Sequence, residues 1–240
     1  MDKSLDTIKS IDKPIDELGE LDDQFEDLLN AAAHASAQTQ RFVLAIDATS
    51  SMGTWWAMSK SALKDAVDYL QSNTNVPVSI KILAYRDHEY DRDIVEQSEW
   101  SDDGWYLKNY IGNMTCKGGG DAPESIGHGL QAILADQLTP AQVVLIGDAQ
   151  GKHDSTGYPE ATRMGQMNCP IYALYTHDDP KVISAFKKLA SLSGGKAMLF
   201  TREMNLTDIF KVIFTSNKKL AITYQATSIE GRRLAEEINK

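Results

Sequence analysis

The chain has 240 residues, of which 42% are hydrophobic and 24% charged, an ordinary balance for a globular protein that excludes wholesale disorder. No apolar run approaches the roughly 18 residues needed to cross a bilayer, and the opening residues MDKSLDTIKSIDKPIDELGE lack the apolar core of a secretory signal. The net charge is −10, and residues 1–30 alone hold ten acidic side chains against three lysines. No basic stripe remains to displace counterions from a phosphate backbone, so nucleic acid is excluded as an expected partner.

Two cysteines, Cys116 and Cys169, are too few for a disulfide framework. The expected compartment is therefore the reducing cytoplasm, with both thiols unpaired; no membrane association is expected.

In chain order, the N-terminal segment spaces Ile8, Ile11, Ile15, Leu18, Phe25 and Leu29 at three- and four-residue steps, with Asp22 interrupting the series. Ser10 or Asp12 can cap such a helix, and Pro14 is tolerated in its first turn. Residues 1–40 are thus expected to be an acidic amphipathic helix with AAAHASAQTQ as its tail or linker. That helix either packs on the domain or offers residues 10–30 to a partner helix.

From Arg41 the texture changes. Phe42–Asp47, Val78–Tyr85, Val143–Asp148, Ile171–Thr176 and Lys196–Phe200 read as strands, three of them nearly continuous in apolar residues as in strands covered on both faces. Helical patterns over Trp55–Leu70, Ser125–Leu138, Pro159–Met167, Pro180–Leu192 and Leu206–Phe214 fall between and after them. The alternation predicts an α/β fold: a doubly wound, mostly parallel Rossmann-like sheet with helices on both faces. Ile94–Trp100 follows the second strand too closely for a helical crossover and is expected as one antiparallel edge strand. The expected domain is residues 41–217, with 218–240 a C-terminal tail or extra helix.

In such a sheet, ligands bind beyond the carboxyl ends of the strands. The first strand ends in Asp47-Ala48-Thr49-Ser50-Ser51, a later one in Gly147-Asp148-Ala149, and Gly118-Gly119-Gly120-Asp121-Ala122-Pro123-Glu124 precedes a helix. Three loops thus bring Asp47, Thr49, Ser51, Glu124 and Asp148 to one rim. All five offer oxygen, which suits Mg²⁺ or Mn²⁺ better than Zn²⁺. Packed carboxylates without a cation would repel one another and raise at least one pKa. Pro123 is expected to preset the first turn of a helix carrying Glu124.

These stretches resemble a von Willebrand factor type A domain with a metal-ion-dependent adhesion site. FVLAIDATSSM resembles the D-x-S/T-x-S signature, VVLIGDA the aspartate of the third loop, and GGGDAPES the D-x-P-E loop of integrin beta-subunit domains and many intracellular relatives. The resemblance implies Asp47, Thr49, Ser51, Glu124 and Asp148 as metal ligands, some through water. It also implies a second, Ca²⁺-type position at Asp87 of ILAYRDH, Asp121 and the Pro123 carbonyl. No third cation is expected, because Gly53, Thr54 and Trp55 stand where further acids would be needed. For Asp87 and Asp121 the alternative is ordinary loop capping.

The function expected on this basis is non-enzymatic, with no catalytic residues: an intracellular protein-binding scaffold or adaptor module. An Asp or Glu side chain of a partner would complete the coordination of the main cation, with Trp55 or Trp56 as aromatic anchors at the rim. One alternative is a metal-dependent phosphoester hydrolase with His88 or His153 assisting, for which Arg86, Lys117 and Lys152 are the available basic side chains. Another is a structural subunit bound through its N-terminal helix. Gly118–Gly120 lacks the following G-K-[ST] of a nucleotide loop.

Overall fold

Fully apolar runs become the middle of the sheet. In the computed structural model, which describes residues 39–74, 76–87, 93–121, 123–217 and 224–239, the strands are β1 Gln40–Asp47, β2 Val78–Tyr85, β3 Val95–Gln97, β4 Gln142–Gly147, β5 Ile171–Tyr175 and β6 Ala197–Leu199. Their order is β3-β2-β1-β4-β5-β6, with only β3 antiparallel to its neighbour. This is the doubly wound arrangement expected, including the antiparallel edge. Phe42–Ile46 of β1 and Val143–Ile146 of β4 are at most 1% exposed, as central strands covered on both faces must be.

Seven helices are described: α1 Gly53–Asn73, α2 Gly104–Asn113, α3 Ile126–Ala135, α4 Tyr158–Gln166, α5 Pro180–Ser193, α6 Leu206–Thr215 and α7 Ile229–Ile238. Because side chains alternate along a strand, each strand feeds two cores. Phe42, Leu44 and Ile46 of β1 join Leu63, Leu70, Ile111, Phe210, Phe214 and Leu234 from α1, α2, α6 and α7. Val43 and Ala45 join Leu130, Met164, Phe186 and Leu189 from α3, α4 and α5 on the opposite face. Each fully buried side chain of this size contributes about 1.5–3 kcal/mol of transfer free energy.

Two helices carry no expectation from hydrophobic spacing. α2 begins where the Asp103 carboxylate accepts hydrogen bonds from the amides of Trp105 (2.8 Å) and Tyr106 (3.1 Å). α7 begins at Ser228, whose hydroxyl accepts from the Gly231 amide at 2.9 Å. Gly104, Gly112 and Gly231 dilute their apolar stripes, since glycine opposes helix by roughly 1 kcal/mol. α7 packs on α6 within one compact unit, Thr39–Lys240. The helical stripe expected within residues 1–40 lies almost wholly outside the described residues. Among the described residues no helix is long and apolar enough to cross a membrane.

Candidate metal centre

From β1 the sheet grows outward through β2 on one side and through β4 on the other, and that switch point between the parallel strands β1 and β4 is where the carboxyl ends open a crevice. Leaving β1, the chain turns sharply because Asp47 Oδ1 accepts from both the Thr49 amide (2.9 Å) and the Thr49 hydroxyl (2.6 Å). Thr49 Oγ1 in turn lies 3.0 Å from Ser51 Oγ. A short 3-10 turn, Ser50–Met52, then runs into α1.

The glycine loop is laced to this turn. The Ser50 amide donates to the Gly118 carbonyl (3.0 Å) and the Lys117 amide to the Ala48 carbonyl (2.9 Å). Gly118 and Gly119 have φ of 79° and 78°, a left-handed conformation that costs glycine nothing. A Cβ on Gly119 would lie 3.1 Å from Thr49 Cβ and 3.6 Å from Glu124 Oε1, so this loop closes over both.

Contrary to the expectation from Pro123, Glu124 is not in the first turn of a helix. α3 begins at Ile126, and Glu124 is held in the preceding loop as an isolated parallel bridge to Gly151. Its amide donates to the Gln150 carbonyl and its carbonyl accepts from the Lys152 amide, both at 2.9 Å. The reason is pairing: the loop after β4 offers backbone partners that a helical Glu124 could not use. Asp148 directly follows β4 and is half-buried.

Burial and mutual repulsion set the electrostatics. Asp47 is fully buried and its carboxyl is pushed up to about 8, by burial and then by the charge of Asp148, against the lowering effect of the Thr49 hydrogen bonds. Glu124, 1% exposed, is pushed up to about 9 by burial and then by Asp47, Asp87 and Asp148. Beneath them the buried Tyr85 phenol is raised well above its ordinary value by burial and by the same carboxylates. Its hydroxyl would lie 2.5 Å from a Cβ on Gly147, so glycine is needed where β4 ends.

Asp47 Oδ2, Glu124 Oε2 and Asp148 Oδ1 are buried and have no hydrogen-bond partner. Polar atoms buried this way are normally satisfied, and anionic oxygens short of donors are what a hard cation needs. The donor set therefore fits a divalent ion. It is not a ready-made cage: among the described residues no three carboxylate, imidazole or thiol side chains form a group that could hold a metal.

The acids expected at a second position meet a cation from the chain itself. Lys152 Nζ lies 3.2 Å from Asp87 Oδ1 and 2.7 Å from Asp121 Oδ1. Sequence reasoning treats Lys152 only as a basic side chain for a substrate cleft. Its partners stand 31 and 65 residues away, so no local spacing could show the pairing. Arg86, from the same expected cleft, is fully buried and donates to Glu96 Oε2 (2.9 Å) and the Thr115 carbonyl (3.0 Å). Of the three basic residues named for a hydrolase, only Lys117 is exposed.

Trp55 and Trp56 are both half-buried rather than free. Trp55 packs on Phe200 at 5.2 Å between ring centroids, with the Arg202 guanidinium 5.3 Å from its ring. His153 is exposed, and His88 lies outside the described residues. Both cysteines are free thiols; burial raises Cys169 to about 12, and Cys116 Sγ sits 2.9 Å from the Thr49 carbonyl.

Residues 41–202 match a family model described as the von Willebrand factor A domain. Among solved structures, proximal thread matrix protein 1 from the mussel byssus is similar with a TM-score of 0.56 and 17% identity, over 76% of this chain and 46% of that one. The same mussel protein with a zinc-occupied MIDAS motif gives 0.57 and 15% identity, over 73% and 47%. The SpRpn10 VWA domain gives 0.51 and 13% identity, over 72% of this chain and 94% of that one. The chain thus spans just under half the length of the mussel protein. No curated protein sequence matches it. At these identities the structural likeness carries the fold, and the family model carries the membership. The protein belongs to the von Willebrand factor A domain family.

Proposed function

We propose that this domain is a divalent-cation-dependent protein-binding module of the D-x-P-E type, working inside the cell as a scaffold or adaptor. Asp47, Thr49, Ser51, Glu124 and Asp148 would hold Mg²⁺ or Mn²⁺, and an Asp or Glu side chain of a partner protein would be the bound group. The observation that carries this reading is the trio of buried carboxylate oxygens without hydrogen-bond partners, Asp47 Oδ2, Glu124 Oε2 and Asp148 Oδ1, at the end of a sheet whose family is one of protein-interaction modules.

The cation, when bound, supplies a Lewis-acidic position for the partner's carboxylate. The rest falls to the chain. Asp47 is fixed by Thr49 so that one oxygen is spent on the turn and the other remains for the ion. The glycine loop keeps Thr49 and Glu124 side by side. Arg202 stacked on Trp55 adds a cation on a rigid aromatic face, a contact suited to an acidic partner. With Arg86 and Lys152 buried in ion pairs, neither is left to hold a phosphoester, which favours binding over hydrolysis.

The test is capture from the native host in Mg²⁺ and in EDTA, with the parent chain beside the Asp47→Asn, Asp148→Asn double variant. Retention of a partner that needs Mg²⁺ and disappears in the variant is the expected result. Mg²⁺-dependent phosphoester turnover that disappears in Asp47→Ala would overturn the reading.

A further inference from the structure

We infer that the Lys152 ammonium serves as a built-in cation: it takes the position between Asp87 and Asp121 and thereby holds the Glu124 loop in place without a second metal ion.

The geometry has three parts. Lys152 Nζ reaches two carboxylates at once, Asp87 Oδ1 at 3.2 Å and Asp121 Oδ1 at 2.7 Å. The lysine side chain is 6% exposed and that of Asp87 fully buried, so neither charge belongs there without a counter-charge. The Lys152 backbone is fastened to the same loop, its amide donating to the Glu124 carbonyl at 2.9 Å and its carbonyl accepting from the Ser155 amide at 3.0 Å. On the other side, the Ser125 amide donates to the Arg86 carbonyl at 3.2 Å. Residues 86–87, 121, 123–125 and 150–152 are thus one knot with Lys152 as its only cationic side chain among the residues described there, apart from Arg86, which faces Glu96 and Thr115.

Charge balance explains why the position is filled by lysine. Asp87 and Glu124 are both buried acids of this knot, and an unneutralised Asp87 would repel Glu124. A flexible ammonium with three donors can serve two carboxylates and needs no dehydration of a divalent ion. Lys152 is therefore a positioning residue for Glu124. The domain takes one divalent ion where a neutral side chain at 152 would leave two carboxylates able to take another.

The inference rests on the metal-binding reading only for the role of Glu124, and counting ions separates the two. Mn²⁺ bound per chain is measured by equilibrium dialysis for the parent and Lys152→Met, each also in the Asp47→Asn, Asp148→Asn background. The expected result is one more Mn²⁺ in Lys152→Met than in its parent in both backgrounds, with Lys152→Arg restoring the parental number. Equal numbers for the folded Lys152→Met chain and its parent in both backgrounds would overturn the inference. No Mn²⁺ on the parent, with one on Lys152→Met, would sink the main metal site while leaving this inference standing. Should Lys152→Met fail to fold, the native chain decides by ¹⁵Nζ spectroscopy. The Lys152 ammonium signal is expected to stay unchanged under millimolar Ca²⁺, and its displacement by Ca²⁺ would overturn the inference.

Discussion

Two buried groups of acids in this molecule behave in opposite ways. Asp208 of α6 is 1% exposed, yet it is surrounded by donors: the hydroxyls of Tyr224, Thr227 (3.0 Å) and Ser228, and the amides of Thr227 (3.0 Å) and Ser228 (3.1 Å). Burial alone would raise its carboxyl, but those hydrogen bonds hold it well below the usual range. Asp47 and Glu124 are equally buried and have been given too few donors, so they are pushed up to about 8 and about 9. The same chemistry thus builds a joint in one place and an unfinished site in the other. What distinguishes them is whether the fold surrounds the buried carboxylate with hydrogen-bond donors or with other carboxylates.

The joint is the easier half to break. Asp208 ties Tyr224, Thr227 and Ser228, and so the start of α7, to α6. Asp208→Ala should cost about 3 kcal/mol, the scale of hydrogen bonds to a buried charge, read as loss of amide protection in α7 ahead of the sheet. Unchanged protection there would remove Asp208 from the role of joint.

The site should respond next in size. Mg²⁺ at a hundredfold excess over its Kd should stabilise the chain by about 2.7 kcal/mol, seen as a melting temperature raised by roughly 5–10 °C. The Asp47→Asn, Asp148→Asn variant should lose that response. Without metal it should be more stable than the parent by about 1 kcal/mol near pH 8, because a like-charge repulsion has gone. A parental Mg²⁺ response in this variant would show the ligands to be elsewhere.

The opposite shifts also give opposite pH dependences. Asp208, depressed in the folded state, contributes stability that is present above its ordinary value of 3.8 and lost as pH falls toward its folded value. For Asp47 and Glu124 the folded chain holds protons that the unfolded chain has released. Metal-free stability should therefore decline as pH rises from about 4 to about 9, the interval between their ordinary and folded values. Mg²⁺ should flatten that slope, since its ligands must be deprotonated and the folded chain then holds no more protons than the unfolded one. Melting curves across pH 3–9, with and without Mg²⁺, check both signs. A smaller effect, about 1 kcal/mol together with weaker Mg²⁺ binding, is expected for Gly119→Ala, whose φ of 78° and 3.1 Å approach to Thr49 disfavour a side chain.

Much of this was legible in the residues themselves. The runs FVLAI and VVLI have no polar face, so they had to be central strands, and the acids and hydroxyls that follow them had to share a rim. The antiparallel edge followed from a connection too short for a helix. What stayed hidden depends on tertiary pairing. Lys152 finds Asp87 and Asp121 only when three loops converge, and Glu124 leaves its expected helical turn because Gln150 and Lys152 offer it backbone partners. α2 and α7 lie under glycine-diluted stripes, and their caps, Asp103 and Ser228, are seen only in the folded chain. The donors around Asp208 come from a stretch with no strong periodicity.

The most direct test of the central claim is calorimetric titration of Mg²⁺ into the metal-free chain at pH 7 in two buffers of different ionisation enthalpy. The account predicts one ion per chain with net release of protons from the raised Asp47 and Glu124 carboxyls, and neither binding nor release in Asp47→Asn, Asp148→Asn. Absence of binding in the parent, or binding with no proton release, would contradict it.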